Sequence, residues 1–558
     1  MNNLRNFIIR LSITYIVFNG LGLLPGIQYG DLLFEVWIVS LVFVVLSAVL
    51  RRVLLALTLP VTILTTGLFI FVIDGLLLLL TATVTSMEVA GLGWALLAAF
   101  VMSIINIWVE WAFIRLGWME GKDDDDPDRI ESPGWLLRIL LLTGMLLGVV
   151  FAVSMAAQAV VAVSLLTPNL VLVGATGLLV FLLLPLAIAW LIASGLAIRR
   201  RAVFSLAVTV VSGGLLVAAA FIVLQPLSVE VQGESRPSDI LMWDLPTGSR
   251  IAYSAHLAPE GTPLPPVVFV HGGPGWAVLE ADRGFYSQIT RFGYDVYLFD
   301  QAGSGYSEHL DSMQAYTVDR SIADLDDIRE MIDADDMILI GHNAGAELAV
   351  RYMARFPERV ARVVLVSPTP LTGDVSFFDE FNRTASPAGL LPPPLEVRPL
   401  LAGRLAAYGS DAAYSLVTPE AAGAWMENAL APGAFTCPGD AGQAPTIEGA
   451  GLNFYVHTRL QELLRRAGDP HPRLAENLTP ALILYSECNY IAWPVIQQVD
   501  EALLGDTIVH FEDAGHFIYP ARGEDMLAVI GAFLLEEPYP VEPYRGSSDP
   551  RPPSAGSE

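Results

Sequence analysis

Cysteine is nearly missing from this chain: Cys437 and Cys488 are the two present in 558 residues. That excludes a cysteine-built zinc site or a disulfide scaffold and leaves room for a single bridge. Positive charge is also scarce, with 31 Lys and Arg against 58 Asp and Glu and a formal net charge of −27. Residues 1–226 hold 11 basic and 12 acidic groups, so the remainder carries 20 against 46, a net of −26. Nucleic acids and anionic lipid headgroups are bound by clustered Lys and Arg, and the acidic half excludes both as partners. No cofactor or metal is expected. The one dense acidic run, Asp123–Asp126 followed by Pro127, consists of contiguous carboxylates that repel and cannot converge on an ion, so it reads as a solvated loop. A Gly-x-Ser-x-Gly sequence is absent as well.

What the chain has in abundance is apolar sequence: 53% hydrophobic residues and a mean hydropathy of +0.52. The excess lies before residue 226. A helix needs roughly 20 mostly apolar residues to cross a hydrocarbon layer of ~30 Å. Seven stretches meet that condition, near 6–24, 32–50, 55–80, 89–114, 135–163, 170–197 and 202–225. The first is no cleaved signal peptide, because Arg10 interrupts its apolar core. Arg5, Arg10, Arg51, Arg52, the cluster Arg115 to Arg138, and Arg199–Arg201 all fall on one side, while loops 25–31, 81–88 and 166–169 carry no Lys or Arg. Positive loops stay cytoplasmic, so seven crossings put the N-terminus inside and everything after Gln225 outside. Asp74 lies mid-span, where acids are costly, and is expected to pair with Arg10 or a donor within the bundle. Glu110, near a span end, is given no role.

Residues 1–115 resemble a known family, the four-helix holin-like membrane proteins. The matching text is Leu24-Pro25-Gly26-Ile27, Leu57-Thr58-Leu59-Pro60-Val61-Thr62 and the run Gly67 to Leu80. That resemblance implies pore formation, although the residues themselves are explained by a membrane anchor. Residues 116–226 add further spans.

From about residue 227 the texture changes to short apolar strands, glycine-rich turns and amphipathic helices, the pattern of an α/β fold. Ser228–Val231 and Arg250–Ala255 read as early strands. Val267–Val270 leads into His271-Gly272-Gly273-Pro274-Gly275, Asp295–Phe299 into Asp300-Gln301-Ala302-Gly303-Ser304-Gly305, and Met337–Ile340 into Gly341-His342-Asn343-Ala344-Gly345 and a helix. These three motifs in this order resemble the proline iminopeptidase branch of the α/β hydrolases, over about 235–540. The resemblance implies an α/β-hydrolase domain at 227–540, a helical cap at about 371–476, and acyl transfer by a serine, acid and histidine triad.

Each demand of that chemistry can be checked against a residue. Gly341 and Gly345 allow the sharp turn from strand to helix. Backbone N–H groups of Gly273 and Ala344 stand where an oxyanion hole is expected. After the strand Thr507–Phe511, His516 occupies the general-base position. The nucleophile position, however, is Asn343, and an amide cannot form the acyl intermediate. The acid position in Ser486-Glu487-Cys488-Asn489-Tyr490 is Asn489, which can orient a histidine but cannot stabilise an imidazolium; in a serine protease of known mechanism that change alone lowers turnover about 10⁴-fold. Ser304, Ser307 and Ser367 are poor substitutes, since such positions serve turn hydrogen bonding. Glu487, Asp374 or Asp379 could replace the acid. A hydroxyl or thiol within bonding reach of the His516 ring would overturn the inert-pocket reading.

In the cap, Asn453 falls where peptide-cleaving relatives place a carboxylate for the substrate's α-amine, with Glu427 or Glu448 as substitutes. Trp425 and Phe454 read as cap core. Cys437 in the cap and Cys488 in the late turn are paired if the domain lies outside the cytoplasm. Residues 541–558, rich in proline, serine and charge, read as a disordered tail. Three readings stay open: a membrane-anchored pseudohydrolase holding a peptide-like or small acyl ligand, a working aminopeptidase or esterase with another nucleophile, and a pore or transport role of the membrane half.

Overall fold

Val267–Val270, Met337–His342 and Ala481–Ser486 are buried at every position, as strands covered on both faces must be. The computed structural model describes residues 35–57, 69–102, 152–195, 200–223, 236–259, 264–372, 397–430, 435–437, 445–447 and 449–551, with single positions among 11–29 and at 227 and 229. The chain divides into two compact units, Met1–Phe221 and Ile222–Glu558.

In the first unit, helices run over Glu35–Leu57, Phe69–Val84, Leu170–Gly195 and Arg201–Val223. Among the described residues one helix, Leu170–Ser194, is long and apolar enough to cross a membrane; Val36–Arg51, Val72–Val84, Leu92–Met102, Ala152–Ser164 and Arg201–Gly214 are apolar but shorter. The expected seven spans are thus corrected to one among these residues. The expected 55–80 span is described at 55–57 and from Phe69 on, where a helix runs to Val84, and much of the expected 6–24, 89–114 and 135–163 spans also lies outside the described residues. Asn169 caps the long helix, its Oδ1 accepting from the N–H groups of Val171 and Leu172. Asp74 is buried and paired with Arg51, Nη2 to Oδ2 3.1 Å. Arg51 is thus a donor within the bundle, and Arg10, the other expected partner, lies outside the described residues together with Glu110.

In the second unit, eight strands form one sheet: β1 Leu241–Asp244, β2 Arg250–His256, β3 Val267–Val270, β4 Val296–Phe299, β5 Met337–His342, β6 Val360–Val366, β7 Ala481–Ser486 and β8 Thr507–Phe511. Their order is β8-β7-β6-β5-β3-β4-β2-β1, parallel except where β2 pairs with β1 and β4. Of the expected early strands, Arg250–Ala255 is β2. Ser228–Val231 falls almost entirely outside the described residues, and Leu241–Asp244 takes the edge instead.

Alternate side chains of each strand feed opposite cores. Val268 and Val270 meet α2 (Val318–Met331), α3 (Ala344–Arg355) and α7 (Trp493–Ala502) on one face, while Val267 and Phe269 meet α1 (Glu280–Tyr286) and α8 (Tyr519–Leu535) on the other. Each such side chain contributes about 1.5–3 kcal/mol on burial. The cap supplies α4 (Val397–Ala407), α5 (Pro419–Ala429) and α6 (Phe454–Arg466). Strand order reverses between β3 and β5, so the loops leaving their carboxyl ends open a crevice there. The expected disordered tail is corrected for residues 541–551: Tyr544 pairs antiparallel with Ile508 of β8, its N–H donating to the Ile508 carbonyl at 2.8 Å.

Candidate active site

At the end of β5 the chain turns through Asn343 (φ 54°, ψ −120°) directly into α3. Both flanking glycines are required by contact. A Cβ on Gly341 would lie 2.5 Å from the Ala346 Cα, and one on Gly345 would lie 2.1 Å from the Val270 carbonyl oxygen. The loop after β3 packs on this elbow, since a Cβ on Gly272 would stand 3.0 Å from the Asn343 Cβ. His271 fixes that loop. Its Nδ1 lies 2.8 Å from the Gly272 carbonyl, and its Nε2 accepts from the Gln301 N–H at 2.9 Å. Burial holds this imidazole down to about 4. Gly273 lines the cavity beside Asn343. Ala344 opens α3 with an N–H that has no carbonyl four residues back in the helix to bond. Of the two expected oxyanion donors, Gly273 lines this cavity and Ala344 is not among its lining residues.

The three positions expected to form the triad come together, with a fourth residue between them. Asn489 Oδ1 accepts from the Ile491 N–H at 3.1 Å, which identifies it as the amide oxygen. His516 Nδ1, 3.0 Å away, must then donate to it, leaving Nε2 as an acceptor. The Tyr490 hydroxyl, 3.3 Å from Nε2, supplies that proton and in turn accepts from Asn343 Nδ2 at 3.1 Å. Behind the imidazole, Asn489 Nδ2 donates to Ser367 Oγ at 2.7 Å, and Ser367 Oγ donates to the His516 carbonyl at 3.0 Å.

No member of this relay carries a charge. Burial, reinforced by the neighbouring His342 ring, lowers His516 well below the ordinary histidine value. Burial likewise pushes the Tyr490 hydroxyl far above its ordinary range, only partly offset by the bond from Asn343. Moving a proton from Tyr490 to His516 would leave a phenolate and an imidazolium, with no carboxylate facing the ring among the described residues. Asn343 offers no attacking oxygen. The positions of a hydrolase triad thus converge, filled by two amides and an imidazole with a phenol between them.

Tyr490 was not identified from sequence, although it directly follows the acid position; its hydroxyl lies within reach of the His516 ring and so meets the condition set against an inert pocket. Ser307 serves its turn as expected, its Oγ donating to the Asp300 carbonyl; the buried Ser304 Oγ has no hydrogen-bond partner among the described residues, and Ser304 is not among the residues lining the cavity at His516. Glu487 is spent on the Asp513 N–H at 2.9 Å. Asp374, Asp379 and Glu448 lie outside the described residues.

The relay faces a cavity of about 310 Å³ lined by Gly273, Trp276, Trp425, Met426, Leu430, Phe435, Phe454 and Phe517, with Thr369, Gln461, His457 and Tyr490 among its polar groups. No carboxylate, Lys or Arg occurs among its described lining residues. The amine-binding candidates are corrected accordingly. Glu427 accepts from the N–H groups of Gly449, Gly451 and Leu452 at 3.0–3.1 Å and so holds a cap turn together. Asn453 caps α6 through Oδ1 and donates Nδ2 to the Gly303 carbonyl at 2.7 Å. Trp425 and Phe454 are buried as expected but also wall the cavity. A disulfide joins Cys437 to Cys488, tying the cap to the turn that carries Asn489 and Tyr490.

Comparison with known proteins agrees with this architecture. Residues 265–521 match the α/β hydrolase fold family, and residues 5–108 match the mycobacterial four-helix phage holin superfamily IV. The proline iminopeptidase of Neisseria gonorrhoeae is 32% identical over 107 residues, 19% of this chain and 33% of that protein. A probable lysophospholipase L2 of Haemophilus influenzae is 31% identical over 130 residues, 21% of this chain and 39% of that protein. The chain therefore spans about a third of the curated relatives it matches. A solved proline iminopeptidase-related protein of Thermus thermophilus aligns at 24% identity with a TM-score of 0.38, covering 53% of this chain and 97% of that one. Over 265–521 the chain carries the α/β hydrolase fold and is similar in part to the proline iminopeptidases, and over 5–108 it is similar to the four-helix phage holins.

Proposed function

We propose that this is a membrane-anchored pseudohydrolase, whose pocket holds a neutral, largely apolar carbonyl compound without cleaving it. The observation that carries this reading is the uncharged relay Asn343–Tyr490–His516–Asn489. Donors at the elbow favour a carbonyl oxygen, and the aromatic walls favour an acyl or aromatic body. A free α-amine would enter without a counter-charge from the described lining, because Glu427 holds cap backbone and Asn453 is uncharged and bonded to the start of α6 and to the Gly303 carbonyl. The lysophospholipase relative is the better guide to ligand class than the iminopeptidases, whose substrates carry that amine. An extracytoplasmic position for the domain is supported by the one-sided arginine loops and by the disulfide.

A fluorophosphonate probe tests the reading on the full chain in detergent. Wild-type protein stays unlabelled, and Asn343→Ser combined with Asn489→Asp becomes labelled at residue 343. Labelling of the wild type would overturn it.

A second reading rests on the Tyr490 hydroxyl at His516 Nε2. Here Tyr490 attacks the ligand's carbonyl carbon, His516 passes the phenol's proton to the leaving oxygen, and water then hydrolyses the tyrosyl ester. Its signature is wild-type labelling on Tyr490 that disappears in Tyr490→Phe.

A further inference from the structure

The turn carrying Asn489 and Tyr490 is gripped from the side opposite the cavity by the chain's own C-terminal segment. After α8, residues 541–551 cross the outer edge of β8, where Tyr544 bonds Ile508. They then follow α7: Trp493 Nε1 and Gln497 Nε2 both donate to the Ser547 carbonyl, at 3.4 and 3.1 Å. The Tyr544 ring meets Trp493 edge-on at 5.5 Å. The segment reaches Arg551, whose Nη1 donates to the carbonyls of Asn489 at 3.2 Å and Ile491 at 3.3 Å, the two residues that flank Tyr490.

This arginine is well held. Asp549 takes Nε at 3.0 Å and Nη2 at 2.7 Å, and the guanidinium lies 5.6 Å from the Tyr485 ring. Its side chain is only 16% exposed. A planar guanidinium offers several donors in fixed directions, so one side chain can bridge two carbonyls while pairing with a carboxylate; an ammonium does this poorly.

We propose that the C-terminal segment is a positioning strap, in which Arg551 sets the Asn489–Ile491 backbone and thereby holds the Tyr490 hydroxyl between Asn343 and His516. The cap disulfide restrains the same turn covalently at Cys488, whereas the strap is reversible. Release of the segment would free Tyr490 from His516 and alter the cavity wall. The claim concerns placement of Tyr490 and does not depend on the ligand.

Nitration by tetranitromethane, followed residue by residue with mass spectrometry on the full chain, tests it. Nitration needs a phenol able to ionise, and at Tyr490, which lines the cavity, the wild-type surroundings and the bond to His516 oppose that ionisation. Arg551→Ala is expected to raise the Tyr490 nitration rate at least tenfold, while the buried Tyr352 and Tyr455 stay protected, and Arg551→Lys restores only a small part of the protection. Unchanged Tyr490 nitration in Arg551→Ala would overturn the proposal. So would equal acceleration of Tyr352 and Tyr455, because Arg551 would then support the fold at large. The fluorophosphonate result is separate: labelling of the wild type sinks the inert-pocket reading and leaves the strap standing.

Discussion

Two turns converge on His516, and they are held by different means. The elbow at 341–345 is dictated by backbone contact: its glycines have no space for a Cβ, and the side chain at 343 bonds only Tyr490. The turn at 486–491 is dictated by side chains. Asn489 alone bonds His516, the Ile491 N–H and Ser367, while Cys488 and Arg551 restrain it from two directions. The fold therefore demands an elbow without demanding a nucleophile on it. Position 489 is another matter, because its amide N–H makes a donation to Ser367 that a carboxylate could not. One asparagine stands at a position the core ignores, and the other is built into its surroundings.

The largest expected effect breaks the first turn. Gly345→Ala places a methyl 2.1 Å from the Val270 oxygen and 2.5 Å from the His271 oxygen, so α3 cannot keep its close approach to the end of β3. A loss of about 3–5 kcal/mol is expected, read as a lower urea midpoint for the hydrolase domain. Next comes acid. His342, adjacent to Asn343, is held near 4 by burial against an unfolded value of 6.5. The unfolded chain takes up that proton first, so this stability is complete above pH 6.5 and is lost as pH falls toward 4, by about 3 kcal/mol. His516, lowered in the same direction, adds to the loss. Thermal midpoints measured from pH 7 to 4 should fall steeply, and His342→Gln should flatten the slope.

What could be read in the sequence was whatever local spacing encodes. Gly341 and Gly345 bracket a turn within five residues, and His516 follows a strand at its ordinary distance, so both were legible. Cys437 and Cys488 had only each other as partners. Tyr490 was hidden because its role depends on which way a side chain leaves a turn, and neither periodicity nor composition records that. Glu427 and Asn453 were misread for a related reason: a polar residue in a cap looks the same whether it meets a ligand's amine or the N–H groups of its own backbone. The tail was misjudged from composition, which weighs eleven residues on average, when Tyr544 and Arg551 suffice to dock it. Asp74 was legible as a buried acid, but its partner depended on helix register, and Arg51 fills that place.

The smallest expected effect sharpens the contrast between the asparagines. Asn343→Ser removes one bond, to a Tyr490 hydroxyl that still donates to His516, and keeps a short polar side chain in a conformation the elbow imposes on any residue; its cost should stay under about 1 kcal/mol. Asn489→Asp removes the donation to Ser367 and buries a carboxylate beside a neutral imidazole, costing about 1–3 kcal/mol at pH 7. The carboxylate would also raise the His516 pKa, so the deficit should shrink as pH falls and the imidazolium forms against it. Thermal melts of the two variants at pH 7 and pH 5 check both the ranking and the sign. If Asn343→Ser proves the more costly, or the deficit of Asn489→Asp widens in acid, then position 343 is the one bound into the fold, and the distinction between the two turns fails.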